Sequence, residues 1–317
     1  MKKCIIIAVS IALLLILNGA VFAEGKTEEY PSKSIYCIIP WSAGGGTDTT
    51  IRGFLKVAEK HVGVSFNASN VTGGGGSVGW TELAAAKADG YTIGALTYDV
   101  LTHSAKENPP FFYDDFVCLV GISQYPMVLV VKADAPWDTL DEFVEYARAN
   151  RGDVNVGIGA IGGNHHQLLT AMENKLDLKF KPVPFEGGAK IIAAILGDNV
   201  EMGFINSPEA KNRPDIKVLA QFAKKRHEDL PDAPTAMELG VDIVLGSFRG
   251  LGVPKGTPED RIAFLRQKFT EAWNDEEFLS WATKAGASPS YMSGEDFDEM
   301  LDAMFPNVKQ ALEQINR

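Results

Sequence analysis

Ile38-Ile39-Pro40-Trp41-Ser42-Ala43-Gly44-Gly45-Gly46-Thr47-Asp48 is the stretch on which the reading of this chain turns. An apolar strand, Ile35–Pro40, enters a glycine-rich turn, and a helical pattern over Thr49–His61 follows. A turn that opens a helix leaves backbone N–H groups unpaired at the positive end of the helix dipole. It is therefore a ready anion site. Two more glycine-rich segments, Thr72–Gly79 and Gly157–His166, come later. Three such loops predict a ligand held largely by backbone.

The chain around them alternates strand and helix. Ser65–Val71 reads as a strand into the second loop, Ser77–Ala88 as a helix and Tyr91–Leu96 as a strand. Phe116–Lys132 holds two apolar runs, Val117–Ile122 and Met127–Val131, with a break expected at Tyr125-Pro126. Thr139-Leu140-Asp141-Glu142 has capping-box spacing and opens a helix to about Asn150. A second alternation follows: strand Val154–Ile158, the third loop, helix His165–Asn174, strand Lys179–Pro184, helix Ala189–Gly197 and strand Val200–Ile205. After Ile216–Ala220 and Val241–Ser247 the chain returns through Gly250-Leu251-Gly252-Val253-Pro254. Thr257-Pro258-Glu259 reads as a helix start with a cap residue and a proline in the first turn. Two or three helices finish the chain, the last opened by Ser293.

Such alternation implies α/β lobes, each a mostly parallel sheet flanked by helices. A length of 317 residues favours two of them. The crossings fall near Val131 and Gly246. Lobe I is then discontinuous, 24–131 with 247–317, and lobe II is 132–246. Ligands in open α/β sheets sit outside the carboxyl ends of strands, where all three glycine loops lie. A cleft between the lobes collects them.

Residues 1–23 have the outline of a secretory signal. Met1-Lys2-Lys3 is the positive n-region, Ile5–Leu17 the apolar stretch and Val21-Phe22-Ala23 a cleavage site. Thirteen apolar residues are too few to span a membrane. Cys4 precedes the apolar stretch, whereas lipidation needs a cysteine after it. Cleavage removes Lys2 and Lys3, leaving 28 basic against 41 acidic residues, so the formal charge goes from −11 to −13. That balance argues against nucleic acid and anionic membrane surfaces as partners. It also means that an anionic ligand must be held by local dipoles, not by the global field. Cys37 and Cys118 sit in apolar runs; buried free thiols are favoured over a disulfide.

Each chemical signature has a structural counterpart. Gly44–Gly46 is not followed by Gly-Lys-Ser/Thr, so the Walker pattern is missing. Asp48 caps its helix or touches ligand, with capping favoured. Gly73–Gly76 is four consecutive glycines, which suggests close backbone approach, if only to the first loop. Gly157-Ile158-Gly159-Ala160-Ile161-Gly162 matches the dinucleotide pattern literally, with Glu186 about where a ribose-binding acid would lie. The leader and the polar helix start Gly163-Asn164-His165-His166 weigh against a nicotinamide cofactor. His165 and His166 diverge on a helix and make no metal pair. No Gly-x-Ser-x-Gly and no Cys–His arrangement is present. Arg249, at a lobe crossing, either pairs bidentately with a carboxylate or makes a salt bridge across the lobes.

Taken together, these segments resemble the periplasmic solute-binding proteins of tripartite tricarboxylate transporters, the Bug family. The resemblance rests on Tyr30-Pro31-Ser32-Lys33, Pro40–Asp48, Asn70–Gly79, Ala88-Asp89-Gly90-Tyr91-Thr92 and Asn155–His166. Val183-Pro184-Phe185-Glu186-Gly187-Gly188, Leu230-Pro231-Asp232-Ala233-Pro234-Thr235 and Val253-Pro254-Lys255-Gly256-Thr257-Pro258 extend it over nearly the whole mature chain. It implies a two-lobed, type II-like periplasmic binding-protein fold and a small organic carboxylate as ligand. It also implies delivery to a membrane permease, a periplasmic location and a monomer. The protein is then no enzyme and needs no cofactor or metal. Trp41, Ser42, Ala43, Gly44, Thr47 and Asp48 are the expected contacts from the first loop, and Gly75 and Gly76 from the second. Gly159, Ala160, Gly162 and His166 are expected from the opposite lobe, with Arg249 at the ligand's distal end. Gly163, Asn164 and His165 replace residues where the family often has serine, Phe248 stands at a common tryptophan and Arg249 at a common aromatic. The alternatives are an exported sensor that reports to a signalling partner and a nicotinamide-binding enzyme.

Overall fold

The computed structural model describes residues 29–185 and 187–315. The leader expected at 1–23, Cys4 and Glu186 lie outside the described residues. Three parallel strands start the chain: β1 (Ile35–Ile39) between β2 (Phe66–Asn70) and β3 (Thr92–Thr97). Helices α1 (Gly46–Val62) and α2 (Ser77–Ala85) link them, and α3 (Asp99–Ser104) follows β3. A second parallel set pairs β5 (Asn155–Ile158) with β6 (Lys181–Pro184) and β7 (Met202–Asn206). Its helices are α4 (Leu140–Ala149), α5 (Asn164–Leu176), α6 (Gly188–Leu196) and α7 (Ser207–Ala210). β8 is Ile216–Gln221, β9 Gly246–Pro254 and β10 Pro289–Ser293. Helices α8 (Glu259–Trp273), α9 (Glu276–Ala285) and α10 (Gly294–Ile315) complete the chain.

One strand joins the two sets. β4 runs unbroken from Phe116 to Lys132. Its first part, through Pro126, pairs antiparallel with β9; its last part, from Met127, pairs with β7 and β8. The break expected at Tyr125-Pro126 is therefore absent. Proline lacks only a donor, and Pro126 sits where β9 ends as a partner, opposite Gly246. The outer strands are parallel, as the alternation predicts. The pairs around β4 and β9 are antiparallel because these strands carry the chain from one half to the other and back. Residues 33–317 form one compact unit.

Each half has its own core. Trp80, Leu96, Tyr98, Phe111, Phe248 and Phe297 are buried together in the first, and Phe143, Val156, Leu168, Phe204 and Phe222 in the second. Asp229, beyond β8, is held by Lys211 and by the hydroxyl of Ser288 just before β10. Cys37 and Cys118 are buried free thiols, and burial pushes the Cys37 thiol up to about 12. The capping box at Thr139 and Glu142 forms as expected. Thr257 does not cap α8, since Pro258 occupies the cap position and the threonine hydroxyl donates to the Pro254 carbonyl instead. Val241–Leu245 is irregular, and β9 begins only at Gly246. Among the described residues no helix is long and apolar enough to cross a membrane.

Gly250 shows how tightly β9 is held. A Cβ there would lie 2.5 Å from the Val120 carbonyl and against the Phe297 ring. Gly250→Ala is expected to cost about 1–3 kcal/mol through overpacking. A urea titration should show a lower midpoint with an unchanged slope.

Candidate functional site

The first loop is braced from behind. Gly45 donates its N–H to the Ser42 carbonyl at 3.2 Å, and Gly44 takes a left-handed conformation at φ 75°. Asp48 accepts from Gly44 N at 2.9 Å, Asn70 Nδ2 at 2.8 Å and Arg52 Nε at 2.7 Å. Asn70 Nδ2 also donates to the Trp41 carbonyl. Burial raises the Asp48 carboxyl, but those three donors outweigh it and hold the pKa below the usual carboxylate range. The carboxylate thus closes the loop from the third position of α1; Gly45 is the cap residue. The Trp41 indole donates to Thr97 Oγ1 at 3.3 Å and stands edge-on to Trp80. Ser42, Ala43 and Gly46 remain exposed, and the first-turn N–H groups of Gly46 and Thr47 have no intrahelical acceptor.

The second loop is shaped by packing. Gly73 to Gly76 all have positive φ. A Cβ on Gly76 would strike Trp80, and Gly75 offers its carbonyl to His103 Nε2 at 3.0 Å. The close approach inferred for this loop is thus to the Trp80 and His103 rings.

The third loop closes on its own histidines. Gly159 N donates to His165 Nδ1 and Gly162 N to His166 Nδ1, each at 3.0 Å. Both imidazoles therefore present Nδ1 as acceptor, which leaves Nε2 to carry the proton. Burial alone takes His165 down to about 4, and burial also lowers the half-buried His166. Gln167 fastens this loop to the β3 side: it accepts from Tyr98 Oη and donates to Thr102 Oγ1 and the Gly162 carbonyl. Two of the amides that a dinucleotide pyrophosphate would need are already committed to side chains.

Arg249 reaches the start of α1 from β9. Its Nε donates to Thr47 Oγ1 at 3.2 Å, and its guanidinium lies 4.7 Å over the Tyr125 ring. Nη2 stands 2.6 Å from the place a Cβ on Gly46 would occupy. No carboxylate among the described residues forms an ion pair with it, so the salt bridge that was the alternative for Arg249 does not form. Register places Ser123 opposite Arg249, Ser247 opposite Tyr125 and Asn206 opposite Met127. The end of β7 therefore arrives beside the same stretch of β4. Ser123 Oγ, Ser207 Oγ and Asn206 Oδ1 are buried there without a protein partner. Burial pushes the Tyr125 hydroxyl up to about 12.

Sequence reasoning missed Tyr125, Ser123, Asn206 and Ser207. Tyr125 was hidden by the proline beside it, and the hydroxyls carry no spacing signal. No group of three metal-ligating side chains occurs among the described residues.

The family described as "Tripartite tricarboxylate transporter family receptor" has a sequence model that matches residues 51–316. Protein BugT of Bordetella pertussis is 25% identical over 284 residues, 87% of each chain. The crystal structure of a TctC solute-binding protein from Polaromonas, without ligand, is 30% identical. It superposes with a TM-score of 0.77 over 90% of this chain and 99% of its own. A Rhodopseudomonas palustris structure with adipate is 23% identical with a TM-score of 0.81, over 91% and 99%. That degree of likeness shows the shared α/β periplasmic-binding-protein fold.

The braced loops carry pH-dependent contributions to stability. His165 stays neutral in the folded protein down to about 4, whereas the unfolded chain protonates it near 6.5. The unfolded state then holds the extra proton, so stability falls as pH drops from 6.5 to 4, by about 3 kcal/mol from this residue. Asp48 acts in the same sense lower down. Its contribution is complete above the unfolded carboxylate value and is lost as pH falls through its depressed folded value. Because Asp99, its pKa raised to about 6, gains stability over the same window, the His165 contribution is read as a difference. In urea titrations at pH 7, 5.5 and 4 the gap between wild type and His165→Gln should change by about 3 kcal/mol, against the wild type, as pH falls. Asp48→Asn, with an amide facing three donors, should cost about 2 kcal/mol at pH 7.

Proposed function

This chain belongs to the tripartite tricarboxylate transporter receptor family, and from that premise we propose that it captures a small organic carboxylate and delivers it to a membrane permease. One observation carries this reading. A guanidinium without an acidic partner lies against the N-terminal turn of a 17-residue helix, itself a positive dipole end. Two positive groups in contact call for an anion between them. Thr47 Oγ1, the first-turn N–H groups of α1 and the buried hydroxyl of Ser123 complete a donor set for one carboxylate. The adipate in the Rhodopseudomonas structure belongs to the class proposed.

On this reading the two halves are lobes, 24–131 with 247–317 and 132–246, hinged on β4. Trp41, Ser42, Ala43 and Thr47 touch the ligand from one side, while Gly44 and Asp48 give the loop its shape. Gly75 and Gly76 form part of the rim. Ala160 and His166 Nε2–H face the ligand from the other side, with Gly159 and Gly162 holding the histidines in place. Residues 1–23 direct export to the periplasm and are removed.

Mature protein, unfolded and refolded to strip bound ligand, tests the reading by its melting shift against mono-, di- and tricarboxylates. A ligand at a hundredfold its Kd stabilises by about 2.7 kcal/mol, which is at least several degrees. Arg249→Met should weaken the responding carboxylate by about 2 kcal/mol or more, roughly thirtyfold. It should leave the melting temperature of the ligand-free protein unchanged or slightly higher, because it removes a cation from a positive helix end. A loss of stability without a loss of affinity would make Arg249 a structural residue and sink the assignment.

A further inference from the structure

Asp99 is the second unpaired charge at this site. β3 ends at Thr97, the register partner of Arg249, and Asp99 follows two residues later. Its Oδ1 lies 3.4 Å from the position of a Cβ on Gly163, so the carboxylate abuts the third loop where α5 begins. Among the described residues it makes no ion pair and accepts no hydrogen bond from another residue. Its own N–H and the distant Lys106 charge are all that favour the ionised form, and burial outweighs them, raising its pKa to about 6.

The two charges stand at the ends of neighbouring strands, Asp99 two residues past the Thr97 that pairs with Arg249. Both act on the buried Tyr125 hydroxyl, Arg249 lowering its pKa and Asp99 raising it, yet they form no ion pair with each other. Glu209 is the other acid that reaches Tyr125, and it is already committed, accepting from the Asn206 backbone and side-chain amides. Asn206 Oδ1 and Ser207 Oγ stay buried without a partner near the same stretch of β4. Opposite charges that form no ion pair with each other are poorly served by a ligand of one sign. A dicarboxylate satisfies Arg249 and is repelled by Asp99. A molecule with a carboxylate at one end and an ammonium at the other satisfies both.

Resting on the carboxylate reading above, we propose that Asp99 is a specificity-determining residue that receives an ammonium group, so that the ligands of this protein are amino-substituted carboxylates. Arg249 and the start of α1 take the carboxylate; Asp99 takes the amino group; Asn206 Oδ1 adds an acceptor.

Calorimetry on refolded, ligand-free mature protein tests this with a length-matched panel. It comprises three- to six-carbon monocarboxylates, the corresponding dicarboxylates, and the corresponding α- and ω-amino acids. An amino acid should bind at least tenfold more tightly than the carboxylates of its length. Asp99→Asn should lower that affinity tenfold or more and raise affinity for dicarboxylates. Asp99→Glu should keep the preference for the amino group. A gain for dicarboxylates is something a merely structural aspartate would not produce. A plain carboxylate or dicarboxylate as the tightest wild-type ligand overturns the proposal, and so does an unchanged ranking in Asp99→Asn. Full binding in Arg249→Met would instead sink the anion site itself, and silence across the panel would sink both.

Discussion

A guanidinium and a helix N-terminus, both positive, meet at Gly46 and Thr47 with no acid between them. Half an elementary charge at about 4 Å from a full one, in an effective dielectric near 20, costs about 2 kcal/mol. The Tyr125 face and the Thr47 hydroxyl return about that much together. The arrangement is therefore close to neutral by itself, and an anion placed in it gains from both positive groups at once. Gly46 is required for this approach, since any side chain there would meet the guanidinium. Asp48 is one turn position away, but its carboxylate faces Arg52 and Asn70 and leaves the conflict in place.

That meeting depends on β4. A strand of 17 residues that belongs to both halves brings β9 along one edge and the ends of β7 and β10 along the other. Arg249 becomes a neighbour of Tyr125 and Ser123 through register alone, although it is more than a hundred residues from them in sequence. The carboxyl ends of β1 and β3, and of β5 and β7, lie together because each set is parallel and helix-linked. The glycine loops are then held by side chains from their own helices: Asp48 for the first, His165 and His166 for the third.

Much of this could be read from the residues. The alternation and the three loops follow from hydrophobic period and glycine position, which are local signals. Thr139 and Glu142 announced their helix because a capping box is a local chemical device. The continuity of β4 could not be read, because Pro126 looks like a breaker and is accommodated only by the way β9 ends beside it. Loop amides likewise looked free in sequence, and three of them prove to be bonded to side chains four to six residues on. Arg249 was visible as an arginine at a crossing, but whether an acid faces it is a tertiary fact. Ser123, Ser207 and Asn206 are ordinary residues until burial leaves them without partners.

The overall charge sharpens what the site must do. A chain of formal charge −11 repels small anions at long range, but at physiological ionic strength that field decays within about 8 Å. Recognition is therefore a matter of the last few ångströms, where two charges and a helix end outweigh the distant surface. A ligand of zero net charge feels no such repulsion on approach and still presents a full carboxylate to Arg249. Its closing of the cleft would follow from the same contacts. The first loop and Arg249 belong to one half, and the third loop and the end of β7 to the other. A ligand shifts an open–closed balance only by its differential affinity for the two states. On the proposed reading, closure would bring a donor set from one half and Asn206 Oδ1 from the other onto the same molecule. The polarity left without protein partners, Asn206 Oδ1 among it, is thus the quantity that ligand binding and closure would share.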